Sequence, residues 1–385
     1  MRDVFIVGAV RTPIGRGRED GALHSVHPVD LLAKTLDESV KRTGIQKSDV
    51  EDIIAGCVTP MAKQGANIAR LALLKAGFPI EVPGVQINRM CGSGQQAVHF
   101  VSQAISSGDM ELGIGGGIEM MGTVPMGSDW GVLDDEFLGT YPYPLAPMGV
   151  CAEKLGEKWN ISRRDADEFS AQSHIKAAKA IAEGYFKREI MPIEVKDNGS
   201  TRIVDTDEGV RGNPDIEKMG TLRTIFKENG VVTAANASQI SDGAGAVVLA
   251  SGEKADKLGL KKRARIVARV VVGSDPDLTL TGPIPATHKV LERANMKMSD
   301  IDVIEINEAF ATVVLAWVKE LKPDMARVNP NGGAIAMGHP LGATGAILMT
   351  KLVHELERTG ARYGLQTMCI GHGMATATII ENCAA

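Results

Sequence analysis

Cys91 is the residue whose type and position most directly indicate chemistry. It lies in the segment Asn88–Gly94, where a strand-like run ends and a helical pattern begins. A thiol at the start of a helix meets unsatisfied backbone N–H groups and the positive end of the helix dipole, which favours the thiolate and predicts a lowered pKa. The position suits a nucleophile, although a buried cysteine with a structural role is equally consistent with the segment.

Three further residues have the chemistry to assist a nucleophile. His339 lies in a second glycine-rich turn that opens a helix, where it is either a general base or a capping residue. Cys369 ends a strand before a tight glycine turn, and a second thiol there either exchanges protons or only fills space. Asn307 follows the strand Val303–Ile306, so its amide either holds a water or a carbonyl oxygen, or caps the next helix.

A zinc site is the competing assembly of these groups. Cys369 and His372 together with Cys91 and His339 supply two thiols and two imidazoles. The chain contains no second pair at ligand spacing, so we favour a site without metal. The glycines of 113–117 do not complete the pattern of a dinucleotide-binding loop.

The elements that position these residues follow from the alternation of apolar runs. Strand-like runs at Val4–Val7, Ile53–Ala55 and Val303–Ile306 alternate with helical patterns, which predicts an α/β fold with largely parallel sheets. The 385 residues exceed the size of one hydrophobic core. The segments 48–54 and 299–305 repeat each other, since each is an acidic turn followed by an apolar strand. We therefore expect two similar halves.

Each half continues with an Asn, a glycine-rich turn, a long apolar helix and a strand. The first of these helices is predicted to begin at Cys91 or just after it and to end with Gly108 as its C-cap. Its spacing predicts one buried face. That face consists of Ala97, Val98, Val101, Ala104 and Ile105.

The segment 118–240 has no counterpart in the second half. It is polar and irregular, and its one clear helix runs from Ser162 to about Glu183 with Asp165 placed for a capping box. We interpret this segment as an inserted loop domain that carries specificity. The predicted units are 1–117 with 241–253, then 118–240, and then 254–385.

Composition restricts the class of protein. The chain has 44% apolar residues and a net charge of -5, so it lacks the basic stripe that binds nucleic acid. No stretch approaches the ~20 apolar residues of a membrane span, and the opening residues leave no room for a signal peptide, so we expect a cytoplasmic protein. Five irregularly spaced cysteines predict reduced thiols rather than a disulfide framework.

Four segments, taken in order, resemble the thiolase family over essentially the whole chain. They are similar to its acyl-cysteine segment, its asparagine motif, its histidine motif and its C-terminal cysteine loop; these are Asn88–Gly94, Asn307–Phe310, Gly338–Pro340 and Cys369–Gly371. The resemblance implies a five-layered αβαβα core of two duplicated halves with an inserted loop domain. It also implies an enzyme that makes or breaks the carbon–carbon bond of a 3-ketoacyl-CoA.

The resemblance also implies a role for each residue. Cys91 is acylated after His339 accepts its proton, and Cys369 exchanges a proton with the acetyl-CoA carbanion. Asn307 holds a water that forms one oxyanion hole together with His339. The backbone N–H groups of Cys91 and Gly371 form the other oxyanion hole.

The loop domain binds CoA in this family, and Met148, Arg211 and Ser238 match positions that line its pantetheine and adenine. The expected ligands are therefore acyl-CoA and CoA, with no metal and no separate cofactor. The family forms dimers or tetramers, so we expect a homodimer or homotetramer in which the loop domain 118–240 makes oligomer contacts. An association with other β-oxidation enzymes is compatible with this reading.

Two departures from the family pattern bear on the substrate. His372 stands where the family usually has the second of three glycines, and we hypothesise that it alters acyl-group selection. Pro147 stands where many acetoacetyl-CoA-forming thiolases carry a His, which favours a degradative acyltransferase over a biosynthetic acetyltransferase. Four apolar residues either line an acyl pocket or form the core of the loop domain: Val132, Leu133, Phe137 and Leu138.

Two rival interpretations remain, a close enzymatic one and a more distant one without catalysis. Ketoacyl synthase chemistry on the same fold is opposed by the second cysteine, Cys369. A thiolase-like protein that binds acyl-CoA or lipid without catalysis is opposed by the four filled catalytic positions.

Overall fold

The structure is a computed structural model that describes residues 2–131, 134–197 and 199–385, in which helices and strands alternate. The strands are β1 Val4–Arg11, β2 Gly15–Arg16, β3 Asp52–Gly56, β4 Gly84–Ile87, β5 Leu112–Met120, β6 Ile193–Asp197, β7 Ser200–Val204, β8 Ser241–Ser251, β9 Ala264–Gly273, β10 Val303–Ile306, β11 Tyr363–Ile370 and β12 Met374–Asn382. The α-helices are α1 Pro28–Thr43, α2 Ile68–Lys75, α3 Ser93–Ser107, α4 Asp135–Leu138, α5 Met148–Lys158, α6 Arg163–Ala182, α7 Ile216–Gly220, α8 Gly252–Lys257, α9 Pro283–Ala294, α10 Ala311–Leu321, α11 Ala334–Met337 and α12 Leu341–Thr359.

The main sheet has the strand order β10-β11-β12-β9-β1-β8-β5-β3-β4, with β2 beside β8. Only β3–β4, β3–β5 and β10–β11 are parallel among its pairs in the described residues. The prediction of largely parallel sheets was therefore wrong. The reason is that β11 and β12 form a hairpin through a tight turn, and β5 and β8 pair in the same antiparallel way across the insertion.

The sheet consists of two similar parts joined at one seam. The order β1-β8-β5-β3-β4 is matched by β9-β12-β11-β10 and by a parallel bridge from Ile304 to Val328 in the place of β4. At the seam, β1 and β9 share only the register pairs Phe5–Arg265 and Ile6–Ala264. This pairing pattern agrees with the repeat of the two acidic turns.

Five layers result from the way the helices cover the two parts. Helices α3 and α12 pack against each other between the two parts of the sheet. Helices α1 and α2 cover the outer side of the first part, and α9 and α10 cover the second. The predicted five-layered αβαβα arrangement is therefore the observed one. No helix among the described residues is both long and apolar enough to cross a bilayer.

Two helices follow the sequence signals closely. Helix α3 ends at Gly108, whose φ of 94° gives the left-handed C-cap, and its predicted face is buried except for the half-buried Ala104. Helix α6 begins after Ser162, which accepts from Asp165 N while the Asp165 carboxylate accepts from Ser162 N. Local capping thus sets these boundaries.

Glycines allow α3 and α12 to approach at their N-terminal ends. A Cβ on Gly345 would lie 2.0 Å from Gln95 N, and one on Gly94 would lie 2.8 Å from Gly342 O. Both neighbours are backbone atoms, so no side chain can turn away to make room. The two helix starts are thereby held together in the middle layer.

Candidate active site

Cys91 lies on a sharp turn between β4 and α3. Met90 immediately before it has a φ of 45°, which is uncommon for a residue with a side chain. The thiol is buried, and it packs with Val58, Leu341 and Met368 from three distant segments. The turn therefore directs the side chain into the middle of the molecule.

Burial raises the pKa of the Cys91 thiol to about 11, although the backbone N–H groups of Cys91 and Gly371 act in the opposite direction. The predicted lowering of this pKa was wrong. The helix begins only at Ser93, and desolvation of the thiolate outweighs the nearby N–H groups. The resting residue is a thiol, and its nucleophilic form requires a base.

His339 is held by its neighbours with one imidazole nitrogen able to accept a proton. Its Nδ1 lies 2.6 Å from Thr344 Oγ1, and this hydroxyl donates to Pro340 O. The Thr344 oxygen therefore accepts from Nδ1–H, which leaves Nε2 without a proton and able to accept one. Burial lowers the pKa of His339 to about 4, so the imidazole is neutral and ready to accept a proton.

Asn307 stands next to this imidazole. Its Nδ2 lies 3.3 Å from His339 Nε2, while its Oδ1 is buried and has no protein partner. The cap of the following helix is Phe310, so the alternative of Asn307 as an N-cap was wrong. A buried amide oxygen without a partner is suited to a bound water.

Cys369 and the turn after it approach Cys91 from the second half. Cys369 is buried, and burial together with the nearby Cys91 raises its pKa. A Cβ on Gly371 would lie 3.4 Å from Met90 Cγ, so this turn adjoins the Cys91 turn. His372 next to it is exposed and has a φ of 64°.

The alternative zinc set does not assemble. Among the residues that the structure describes, no group of three or more His, Cys, Asp or Glu side chains is arranged to hold a metal ion. Two thiols, a neutral imidazole, an amide and converging N–H groups instead suit acyl transfer through a cysteine.

Comparison with known families agrees with this chemistry. Residues 4–253 match the family described as "Thiolase, N-terminal domain", and residues 260–382 match "Thiolase, C-terminal domain". The chain belongs to the thiolase family. The family resemblance of the four sequence segments is thereby confirmed.

Several relatives of this thiolase match along its whole length. A steroid 3-ketoacyl-CoA thiolase of Mycobacterium tuberculosis is 47% identical over 99% of this chain and 94% of its own. A 3-ketoacyl-CoA thiolase of Bacillus subtilis is 41% identical over 100% of both. The crystal structure of the Bacillus anthracis acetyl-CoA acetyltransferase superposes with a TM-score of 0.92 at 40% identity, covering 99% of each chain. The predicted fold is confirmed.

The three predicted CoA-binding residues of this thiolase occupy different surroundings. Met148 begins α5, with its sulfur 3.9 Å from where a Cβ on Gly371 would lie. Ser238 is half-buried and donates its N–H to Ala309 O. Arg211 is exposed and lines a separate cavity of about 280 Å³. Met148 thus adjoins the Gly371 turn, and the cavity of Arg211 is also lined by Gln239, whose carbonyl accepts from His339 N.

Two of the four proposed acyl-pocket residues lie among the described residues. Val132 and Leu133 lie outside the described residues. Phe137 is exposed and Leu138 is half-buried, so neither belongs to a buried core of the loop domain.

Two buried carboxylates near the site were missed from the sequence. Glu308 accepts from Ser173 Oγ at 2.6 Å, Asn329 Nδ2 at 2.8 Å and Ile335 N at 3.2 Å, and so holds the segment that leads to His339. Glu119 accepts from both halves of the molecule. The sequence offered one signal for each residue. Glu308 directly follows Asn307, and Glu119 lies near the end of the apolar strand β5.

Proposed function

We propose that this thiolase cleaves 3-ketoacyl-CoA with CoA, giving acetyl-CoA and an acyl-CoA shortened by two carbons, through an acyl-Cys91 intermediate. One observation carries the proposal: a buried Cys91 thiol that faces the N–H of Gly371, with Cys369 close by and a neutral His339 held by Thr344. The relatives named 3-ketoacyl-CoA thiolases, at 41% to 47% identity, support the same substrate.

The first half-reaction breaks the bond between C2 and C3. His339 Nε2 takes the Cys91 proton as the sulfur adds to the 3-keto carbon, and the N–H groups of Cys91 and Gly371 stabilise the resulting oxyanion. The bond then breaks, and the electrons pass to the acetyl-CoA fragment as an enolate. Protonated His339 and a water on Asn307 stabilise this enolate, and Cys369 protonates its carbon.

The second half-reaction returns every proton. The CoA thiol gives its proton to the Cys369 thiolate and attacks the acyl-Cys91 thioester. Cys91 leaves as a thiolate and takes back the proton that His339 had accepted. Acyl-CoA and acetyl-CoA are the products, and the side chains return to their starting protonation states.

Mass spectrometry of the intact protein tests the intermediate. We expect a 3-ketoacyl-CoA supplied without CoA to add one acyl group, which peptide mapping locates on Cys91. The matched control is Cys383→Ala, which removes an exposed thiol and leaves the adduct unchanged. Cys91→Ala removes the adduct. No adduct on the wild-type chain, together with no CoA-dependent loss of 3-ketoacyl-CoA, would contradict the proposal.

Formation of acetoacetyl-CoA from two acetyl-CoA is the second candidate. It is supported by the close superposition on an acetyl-CoA acetyltransferase. Steady-state comparison of acetoacetyl-CoA with medium- and long-chain 3-ketoacyl-CoA separates the two. A kcat/KM confined to acetoacetyl-CoA would favour the acetyltransferase.

We further propose that the loop domain 118–240, through Met148, Arg211 and Ser238, binds CoA between the two halves 1–117 with 241–253 and 254–385. A homodimer or homotetramer remains our expectation, and light scattering on the purified protein measures it. Replacement of Arg211 by Ala is expected to raise the KM for CoA without a comparable change in kcat.

A further inference from the structure

Glu119 is a fully buried carboxylate near the end of β5, behind the active site. Its two oxygens accept from Val58 N at 2.8 Å and Thr59 N at 3.1 Å, in the loop that follows β3. Gln64 Nε2 donates to the same carboxylate at 2.9 Å. These bonds hold the chain segment after β3 in place around Glu119.

The same carboxylate also reaches the second half. Gly342 N, in the first turn of α12 and three residues after His339, donates to Glu119 Oε2 at 2.9 Å. This N–H is one of those that a helix leaves unsatisfied at its start. One side chain therefore ties the loop after β3 to the helix that follows the catalytic base.

The segments held by Glu119 are the ones that enclose the nucleophile. Val58, whose N–H bonds to Glu119, and Leu341, which precedes Gly342, both pack in the cluster that contains Cys91. A change in the position of either segment alters the walls around the sulfur and the distance to His339.

The hydrogen-bond pattern favours the charged form of Glu119. Every nitrogen around the carboxylate donates, so a proton on either oxygen would have no acceptor among these nitrogens. Burial acts against the charge and leaves the pKa of Glu119 raised overall, although the four N–H donors lower it. The charge of Glu119 in turn raises the pKa of Cys91. The other titratable groups facing Glu119 are Cys57 and Asp242.

We infer that Glu119 is a positioning residue of the thiolase reaction, which holds the Cys91 and His339 segments together and places a fixed negative charge behind the nucleophile. The inference rests on the proposed thiolase function. In this role Glu119 aligns the two halves and keeps the proton on Cys91 until His339 takes it.

Two substitutions of Glu119 separate the effect of its hydrogen-bond positions from the effect of its negative charge. Glu119→Gln keeps the length of the side chain, removes the charge and turns an N–H toward other donors. Glu119→Asp keeps the charge and shortens the reach. The matched control is Glu51→Gln, because Glu51 accepts from Glu111 N and Leu112 N at the opposite end of β5.

Two measurements are made on each protein: steady-state thiolysis, and the rate of iodoacetamide alkylation of Cys91 against pH, followed by peptide mass spectrometry. We expect both Glu119 variants to lose about tenfold or more in kcat with the KM for CoA within about twofold. The midpoint of alkylation shifts to lower pH in Glu119→Gln and stays in place in Glu119→Asp and Glu51→Gln.

Three outcomes would overturn the inference: a folded Glu119→Gln with wild-type kcat, an unchanged alkylation midpoint in that variant, or the same losses in Glu51→Gln. If Glu119→Gln does not fold, Glu119→Asp decides, since wild-type kcat there removes the positioning role. Failure of the proposed function is distinct, because the wild-type chain would then lack thiolysis while its alkylation profile remains measurable.

Discussion

Cys91, with a pKa of about 11, and His339, with a pKa of about 4, are both uncharged at neutral pH. Two uncharged groups cost less to bury than a thiolate and an imidazolium. In the proposed reaction the proton leaves Cys91 only as the sulfur adds to the substrate, so activation of the nucleophile is coupled to the presence of substrate.

His372 adopts a backbone conformation that normally favours glycine. Its φ of 64° carries a steric cost, whereas a glycine there loses more chain entropy on folding. We expect His372→Gly to raise the free energy of unfolding by about 0.5 kcal/mol, because the strain slightly exceeds the entropy. Urea unfolding measures this change. We also expect the chain-length profile of kcat/KM to shift.

Lys322→Gly is the matched control for His372. Lys322 has a φ of 48° at the end of α10. It is expected to show a similar change in stability with an unaltered profile. An unaltered profile in His372→Gly would remove His372 from acyl-group selection.

At the scale of elements, the contact between α3 and α12 sets the spacing of the segments that carry Cys91 and His339. Cys91 lies just before α3, and His339 lies just before α12. The two helices meet through glycines, so their spacing depends on the absence of side chains at the contact. A change of spacing there moves the two reactive groups relative to each other.

Gly345→Ala tests this contact. The new methyl group would lie 2.0 Å from Gln95 N, so the helices must separate. We expect a loss of about 3 kcal/mol in the free energy of unfolding and a fall in kcat, measured by urea unfolding and by thiolysis.

Gly220→Ala is the matched helical control, since its added methyl group meets no described atom within 4 Å apart from its chain neighbours and the backbone of its own helix. It is expected to leave kcat unchanged and to stabilise the protein by up to about 1 kcal/mol. Equal effects of the two substitutions would contradict a special role for the helix contact.

Elements governed by local signals were predictable from the sequence. The ends of α3 and α6 follow from Gly108 and Ser162, which act within one turn of chain. The pKa of Cys91 was not predictable, because its burial comes from Val58, Leu341 and Met368, which only the fold brings together. Site roles rest on the family resemblance and domain boundaries on the internal repeat, and both remain predictions.

Glu119 was not predictable for the same reason. Its partners lie about sixty and more than two hundred positions away along the chain, on Val58 and Gly342. The antiparallel pairing of β8 with β5 and of β12 with β11 was not predictable either, because the period of apolar residues does not show how strands are connected.

For the molecule as a whole, buried imidazoles make stability depend on pH. Burial lowers the pKa of His99 and His354 to about 3 and that of His339 to about 4. The unfolded chain binds protons at these residues below pH about 6.5, whereas the folded chain does not until pH about 4. Stability is therefore lost as the pH falls through this window.

Two buried carboxyls act in the opposite direction. Burial raises the pKa of Asp242 and Glu305 to about 7, so the folded chain binds their protons first and gains stability as the pH falls below 7. Burial also lowers the pKa of His174 to about 4, so four imidazoles act against these two carboxyls, and we expect a net loss between pH 6.5 and pH 5 of about 3 kcal/mol. Urea unfolding at the two pH values measures it.

His354→Gln identifies the contribution of one imidazole. Its difference in stability between pH 6.5 and pH 5 is expected to be smaller than that of the wild-type chain by about 1 kcal/mol. Unchanged dependence in this variant would show that His354 does not contribute.

The pairing of β1 with β8 has a consequence for synthesis on the ribosome. Val4 pairs with Ser251 and Arg11 pairs with Gly245, and the whole inserted segment lies between them in the chain. The first half therefore cannot close its sheet until residue 251 has left the exit tunnel. Until then β1 presents two unpaired edges to other nascent chains. The long segment between β1 and β8 thus prolongs the interval in which the growing chain needs protection from aggregation.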